Sequence, residues 1–564
     1  MNEKMQSIMA IPECKFLSIS ETDKINEKVD ISPLRCGFIF VLCLFLFLPT
    51  GCSKESGPTY GPPLVVSPQV VSYSEKGVEA GKRILDSGGN AFDSFVATTV
   101  VENVVSPGTV TLAGLLCTLM YDAETNTVTF LDAGYNSVLA ADGEYNPADP
   151  IHGKRVVVPG IVAGLEAVHR RYGRLSWAEV LQPAIELARD GFSIDEGYAW
   201  VIENYSQILQ NTEYGRQTFF PGGSPLQAGD ILRQPELAGF LTNLAEQGSS
   251  YMYTGLWAEQ CVETVQAEGG LMEMEDLSSY QPTWGDPWEV SYRGYDICAS
   301  AGRVMHGLWA LLALKTLEHT SLYPLVHYSD SADALEVLVR IARAVEKESW
   351  IRDYRYIDDR DLVNSRLSWT YTNFIWDKVE AGLDSASSET SFDHETLCSI
   401  IVDSEGNVVA AKHSINSYLW GSGLFVQGIP LNASGIFNTR WTGPGERRLH
   451  GASNFFVFKD GNMRSALGTF GNSNPQTAFQ FLVDLIDYGL PADQAVTLPR
   501  FGSYVYDENG TDLTKNWLDE RVSQEIVDIL KERGLFFSQE LSRVGIGCLI
   551  KFHPDGNTTS GIGR

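Results

Sequence analysis

Cysteine is scarce in this chain. Nine occur in 564 residues, and beyond Cys52 only Cys117, Cys261, Cys298, Cys398 and Cys548 remain, scattered singly. Such spacing offers neither a disulfide framework nor a C-x-x-C metal site. The nine histidines are dispersed too, with no H-E-x-x-H pair. Neither a metal nor a cofactor is therefore expected. A G-x-S-x-G nucleophile elbow is missing, which excludes the α/β-hydrolase type of serine chemistry. No G-x-x-x-x-G-K-[ST] occurs either; "GVEAGKR" has the wrong spacing and reads as helix surface. Positive charge is short as well: 42 Lys and Arg stand against 71 Asp and Glu, a net −29 at pH 7. Phosphate backbones and anionic lipid surfaces are repelled at long range, so nucleic acid is not an expected partner.

What is present is the material of a core. Hydrophobic residues make up 44% and aromatics 11% of the chain, enough for two or three domains or one large α/β body. Residues 36–48, "CGFIFVLCLFLFL", form an apolar run behind Arg35. That run is shorter than the roughly 20 residues that span a bilayer and has the length of a secretory h-region. It ends in "LPTGC" and continues as "SKESGP", which resembles a bacterial lipoprotein signal with Cys52 as the lipidated residue. The expected location is the bacterial cell envelope, facing periplasm or exterior, with the N-terminal lipid as the sole membrane contact. The acidic stretch before the run is long for an n-region, so initiation at Met5 or Met9 is an alternative.

Further on, helix and strand signals alternate. "GVEAGKRILDSGG" has helical apolar spacing and stops at a glycine pair; "NAFDSFVATTVVENVVSP" reads as a more buried helix ended by Pro107. "CTLMYDAETNTVTFLDAG" reads as a hairpin, and "SWAEVLQPAIELARDGF" as a helix with Ser176 as N-cap. Residues 230–350 read as mostly helical, interrupted by the strand-like "WEVSYRGYDICAS". The clearest linker signal is Val379–Glu395, rich in Ser, Asp and Glu. After it come the hairpins "TLCSIIVDSEGNVVAAKHSIN" and "ASNFFVFKDGNMRSALGTFG", two helices, and a last hairpin from Gly547. No tandem repeat is found.

Thr396 opens the first of these hairpins, directly behind the linker. A threonine hydroxyl is a weak nucleophile unless a base lies beside it; if the preceding peptide bond is cut, the freed α-amine can be that base. Pattern alone leaves two readings open, and threonine is also an ordinary strand residue.

Several blocks carry a resemblance. "ILDSGGNAFDSFVATTVVENVVSPG", "VVVPGIVAGLEAVHRRYGRLSWAEVLQPAIELARDGFSI", "PELAGFLTNLAEQGSSYMYTGLWAEQCVETVQAEGGLMEMEDLSSYQP" and "IDYGLPADQAVTLPRF" resemble, in order, blocks of the γ-glutamyltranspeptidase family. The likeness runs over roughly residues 66–564. It implies an N-terminal-nucleophile αββα four-layer sandwich, made as one precursor and cut into two chains. The implied division is 1–52 signal and extension, 53–65 linker, 66–395 large chain and 396–564 small chain. "TLCSIIVDSEGN" is similar to the family's T-[TS]-H-x-S-x-x-D-x-x-GN segment, which implies autocleavage at Glu395–Thr396 and Thr396 as nucleophile. Ser414 takes the place of the family's supporting threonine, and Asn416 that of its asparagine. "GTFGNSN" places the oxyanion element at Gly471 and Asn472, where backbone N–H groups can serve whatever the side chain.

The recognition half departs from the family. Where the resemblance calls for a carboxylate-binding arginine, "LDAGYNSVLAAD" offers Gly134 and Tyr135. "SGIF" replaces an acidic segment, His450 and Gly451 replace a Ser-Ser pair, and Cys398 replaces a histidine. Loss of a charged partner for a buried carboxylate costs about 2–5 kcal/mol, so glutathione is expected to be a poor substrate. Arg447 and Arg448, with His450, are candidate replacements for the clamp, since guanidinium suits bidentate carboxylate binding; a structural surface role for the arginines is an equal alternative. Cys398 reads as a core thiol and His394 as solvated linker. The expectation is an enzyme of γ-glutamyltransferase or hydrolase type acting on a small-molecule or peptide amide, with water or an amine as acceptor. The alternatives are a non-glutamyl acylase or peptidase of the same fold, and a cell-surface binding lipoprotein with a decayed site.

Overall fold

The computed structural model describes residues 60–61, 67–141, 151–320, 326–383, 396–437, 441–471, 473–502, 515–539 and 545–563. The apolar run 36–48, Cys52, His394, Glu395 and Asn472 lie outside the described residues. No helix among the described residues is long and apolar enough to cross a membrane.

Two six-stranded antiparallel sheets form the centre. The first runs, in spatial order, Gln69–Ser72, Leu397–Val402, Val408–Ser414, Leu115–Asp122, Thr127–Ala133 and Thr283–Gly285. The second runs Thr558–Ile562, Ile546–Phe552, Asn462–Phe470, Ser453–Lys459, Tyr295–Ala299 and Trp288–Tyr292. Helices Glu75–Asp86, Ala91–Val105 and Ile161–Tyr172 cover the outer face of the first sheet. Met305–Leu317 and Asn474–Ile486 cover that of the second. The result is the αββα sandwich.

Burial on both faces explains why the central strands do not alternate polar and apolar. "LCSIIV" and "VVAAKHS" are buried throughout. Successive side chains still point to opposite faces. Cys398, Ile400 and Val402 join the core shared with the second sheet, whereas Ile401, Val409 and Ala411 join the core under the N-terminal helices.

Local signals hold where the chain is read directly. Asn90 closes a capping box with Asp93 at the start of Ala91–Val105, and Ser176 does so with Glu179 at Trp177–Asp190. Helix Trp369–Glu380 extends into the predicted linker, because Val379 is buried and its turn is completed by packing. Residues 384–395 of that linker lie outside the described residues.

Candidate active site

Thr396 immediately precedes the strand Leu397–Val402 and is buried, at 3% exposure. In the antiparallel register Leu397 faces His413, so Thr396 lies beside Ser414 at the end of the neighbouring strand. Its Oγ1 donates to Ser414 Oγ at 3.1 Å. The backbone N–H of Asn416 donates to the same oxygen at 2.7 Å. Ser414 therefore gathers the threonine hydroxyl and the turn that follows it.

That turn is held firmly. Asn416 adopts φ 47°, a left-handed conformation that asparagine tolerates better than most residues. Its Nδ2 donates to Ser434 Oγ at 3.3 Å, within "SGIF". Asn432 fixes that loop by donating to Ala113 O and Val157 O. Tyr135 Oη donates to Ile415 O at 2.7 Å. Gly114 allows the close approach, since a Cβ there would lie 2.6 Å from Ser414 O.

The predicted oxyanion residue Gly471 follows directly on strand Asn462–Phe470, with φ 82°, just before helix Asn474–Ile486. The helix N-terminus there carries partial positive charge. Cys398 Sγ donates to Gly468 O at 3.4 Å, tying the nucleophile strand to the strand that ends at Gly471. Cys548 Sγ donates in turn to Cys398 O at 3.4 Å. Cys398 is thus a buried thiol between the sheets, as expected. The bond to Cys398, with burial, pushes the Cys548 thiol well above its ordinary value.

The candidate clamp residues Arg447 and His450 gather around Asp132, a residue that sequence reasoning missed. Asp132 Oδ1 contacts His450 Nε2 at 3.0 Å and Arg447 Nη1 at 3.2 Å. Burial alone would raise this carboxyl, but His450 and Arg447 beside it, with the N–H of Gly134, hold it well below the usual carboxylate range. Arg447 also donates to Asn136 Oδ1, Asp132 O and Gln281 O, and lies over the Tyr280 ring. Arg448 is buried, donating to Ser137 Oγ and Phe437 O. Both arginines are thus built into the scaffold. The only hint in the sequence was an aspartate closing an apolar strand run.

His450 explains the glycine at 134. A Cβ on Gly134 would lie 2.7 Å from His450 Cδ2, so the imidazole fills the space into which any larger side chain would grow. Gly134 follows the strand Thr127–Ala133, in which Ala133 pairs with Leu116. The two departures are therefore one structural event.

Two antiparallel sheets packed together and covered on their outer faces by helices define the class: the αββα fold of N-terminal-nucleophile hydrolases. The γ-glutamyltranspeptidase family profile matches residues 77–562, and the chain belongs to that family, whose members are amide hydrolases and transferases. Among its relatives are the glutathione hydrolase proenzyme of Escherichia coli K12, 29% identical over 77% of this chain and 80% of that protein, and the YwrD glutathione hydrolase-like proenzyme of Bacillus subtilis 168, 30% identical over 78% and 84%. The acylase ACY 1 proenzyme of Pseudomonas sp. V22 is 28% identical over 85% of this chain and 89% of that protein. Cephalosporin acylase from Bacillus halodurans shares the fold, with a TM-score of 0.75 and 22% identity over 92% of this chain and 97% of that one. The Helicobacter pylori γ-glutamyltranspeptidase structure gives 0.50 and 25% over 57% and 93%.

Proposed function

We propose that the chain is a proenzyme that cuts itself at Glu395–Thr396 and then transfers or hydrolyses an acyl group through Thr396. The observation that carries this reading is the 3.1 Å bond from Thr396 Oγ1 to Ser414 Oγ, with the Asn416 N–H on the same oxygen. In maturation, Thr396 Oγ attacks the Glu395 carbonyl carbon, the C–N bond breaks, and the resulting ester is hydrolysed by water. Glu395 leaves with a new carboxylate and Thr396 gains an α-amine. In turnover, that amine accepts the Oγ proton while Oγ attacks an amide carbonyl. Backbone N–H groups at Gly471 and Asn472 bind the oxyanion. The protonated α-amine returns the proton to the leaving amine, and water or an acceptor amine then resolves the acyl-ester.

Intact-mass measurement of the purified chain tests this. Two fragments separated at Glu395–Thr396 are expected from the wild type, and one uncut chain from Thr396→Ala. Fragments from the variant, or an uncut wild type without amide activity, would remove the reading; the second result would point to a binding lipoprotein. Lipidation of Cys52 would appear in the same spectrum of the native protein as an added acyl-glyceryl mass.

For the acyl group, the geometry favours something other than γ-glutamyl. Gly134 and His450 leave no room for a guanidinium at 134, and Arg447 and Arg448 are engaged elsewhere. That one relative is itself named an acylase is consistent with such an acyl group. Comparing kcat/KM on a γ-glutamyl anilide and on neutral acyl anilides separates the two; a preference of tenfold or more for γ-glutamyl would reject the acylase reading.

A further inference from the structure

Under the nucleophile hairpin, on the face opposite Thr396, lies a pair of ionisable groups that the chemistry above does not use. Glu102 stands near the end of helix Ala91–Val105. His413 precedes Ser414 and faces Leu397, the residue after Thr396. Its Nε2 is 3.3 Å from Glu102 Oε2, and both side chains are fully buried. Ser72 Oγ donates to Glu102 Oε1. A Cβ on Gly77 would lie 2.9 Å from Glu102 Cγ, so helix Glu75–Asp86 closes over the carboxyl as well. Neither ring nitrogen of His413 nor Oε2 of Glu102 has a well-formed hydrogen bond.

Two such groups in contact hold one proton between them over a wide pH range, whichever atom carries it. Burial pushes the Glu102 carboxyl up to about 8, against the opposing bond from Ser72. Burial also pushes the His413 imidazolium down to about 3. We propose that this one-proton contact fastens helix Ala91–Val105 to strand Val408–Ser414, positions Ser414 against Thr396, and loosens when the proton is lost at alkaline pH. The positioning role rests on the Thr396 reading; the contact itself does not.

The surroundings make an added charge costly. Strand Leu397–Val402 presents Leu397 and Ser399, and strand Leu115–Asp122 presents Leu116 and Thr118. The first N-terminal helix presents Gly77, with Glu75 in its first turn, and strand Gln69–Ser72 leads into Tyr73. Cys548 on the second sheet is the thiol that feels the Glu102 charge.

Proton counting gives the sign. In the unfolded chain Glu102 ionises at 4.5 and His413 at 6.5, the ordinary values. Between pH 4.5 and 6.5 folded and unfolded states each hold one proton, and the pair leaves stability flat. From 6.5 to about 8 only the folded state keeps it, so stability falls as pH rises. From 4.5 down to about 3 the unfolded state holds one more, and stability falls as pH falls.

The test compares the full chain with its Glu102→Gln variant, following denaturant unfolding between pH 6.5 and 8 and self-cleavage rate from pH 6.5 to above 8. The wild-type unfolding constant is expected to rise up to about tenfold per pH unit more than that of the variant. The wild-type cleavage rate should fall above pH 8, and that of the variant should not. Equal pH slopes in the two proteins would overturn the proposal. Repeating the unfolding series on Thr396→Ala separates the two readings: a misplaced nucleophile leaves that slope intact and shows only as continued cleavage. If Glu102→Gln does not fold, histidine-labelled wild type serves in NMR. A ring that stays neutral in acid and responds once near pH 8 upholds the contact, and no such signal overturns it.

Discussion

At the Thr396 end of the candidate site, polar groups of Thr396, Ser414 and Asn416 meet at 2.7–3.1 Å. At the other end, Asp132, Arg447 and His450 form a buried cluster whose polar groups answer each other. The first end brings together the hydroxyls that the proposed reaction needs. The second is organised to hold its own shape. A group already satisfied inside the protein has little left to offer a ligand, because breaking its bonds costs about as much as new ones return. The contrast teaches that Arg447, Arg448 and His450, the candidate replacements for the clamp, are bound into internal structure.

The sharpest way to break this comparison is Thr396→Ala. It should abolish self-cleavage and lower amide turnover by about 10⁴-fold or more, with little change in the unfolding midpoint. A variant that keeps a tenth of wild-type rate would merge the two ends into one scaffold. Asp132→Ala should do the reverse, costing about 3–5 kcal/mol of stability by leaving Arg447 and His450 without their carboxylate. Calorimetry of a chain already cut measures this loss apart from maturation. The sign of the pH effect follows from the depressed carboxyl. Its contribution is present above the unfolded value of 3.8 and is lost as pH falls through the lower folded value. Asp132→Asn should therefore show a shallower acid limb than the wild type.

Ser414→Ala removes one hydroxyl that accepts two hydrogen bonds and should slow self-cleavage by about 10- to 100-fold, equivalent to about 1–3 kcal/mol. Ser414→Thr keeps the oxygen and should stay close to wild type in a time course on denaturing gels. The smallest effect sets the baseline. Arg83 and Glu186 form a largely solvent-exposed pair between two N-terminal helices, and Arg83→Ala should change stability by less than about 1 kcal/mol.

Much of the fold was legible because its signals are local. Asn90 and Ser176 announce helix starts, the polar turn between Tyr121 and Thr127 announces a hairpin, and Asp460–Gly461 announces another. Thr396, Ser414 and Asn416 follow from the family resemblance, and the structure brings Thr396 and Ser414 together because they stand at the ends of neighbouring strands of one hairpin, where register follows from the turn. Asp132 could not. Its partners lie more than 300 residues away in sequence, and only sheet-on-sheet packing brings them together. For the same reason the sequence alone cannot decide between Arg447 as a clamp and Arg447 as a structural residue: it shows a guanidinium but not the Asn136, Asp132 and Gln281 oxygens that meet it.

By itself the sequence determined the elements, their order, the family and the hairpin on which a nucleophile can stand. Short-range periodicity, capping and turn chemistry act between neighbours and so survive in a linear reading. Only the tertiary structure decided that His450 fills the space over Gly134 and that Glu102 meets His413 beneath Ser414. Those contacts depend on cross-strand register, helix placement and the exclusion of water from both faces of a sheet. No local pattern encodes these, because each arises only when distant segments are buried together.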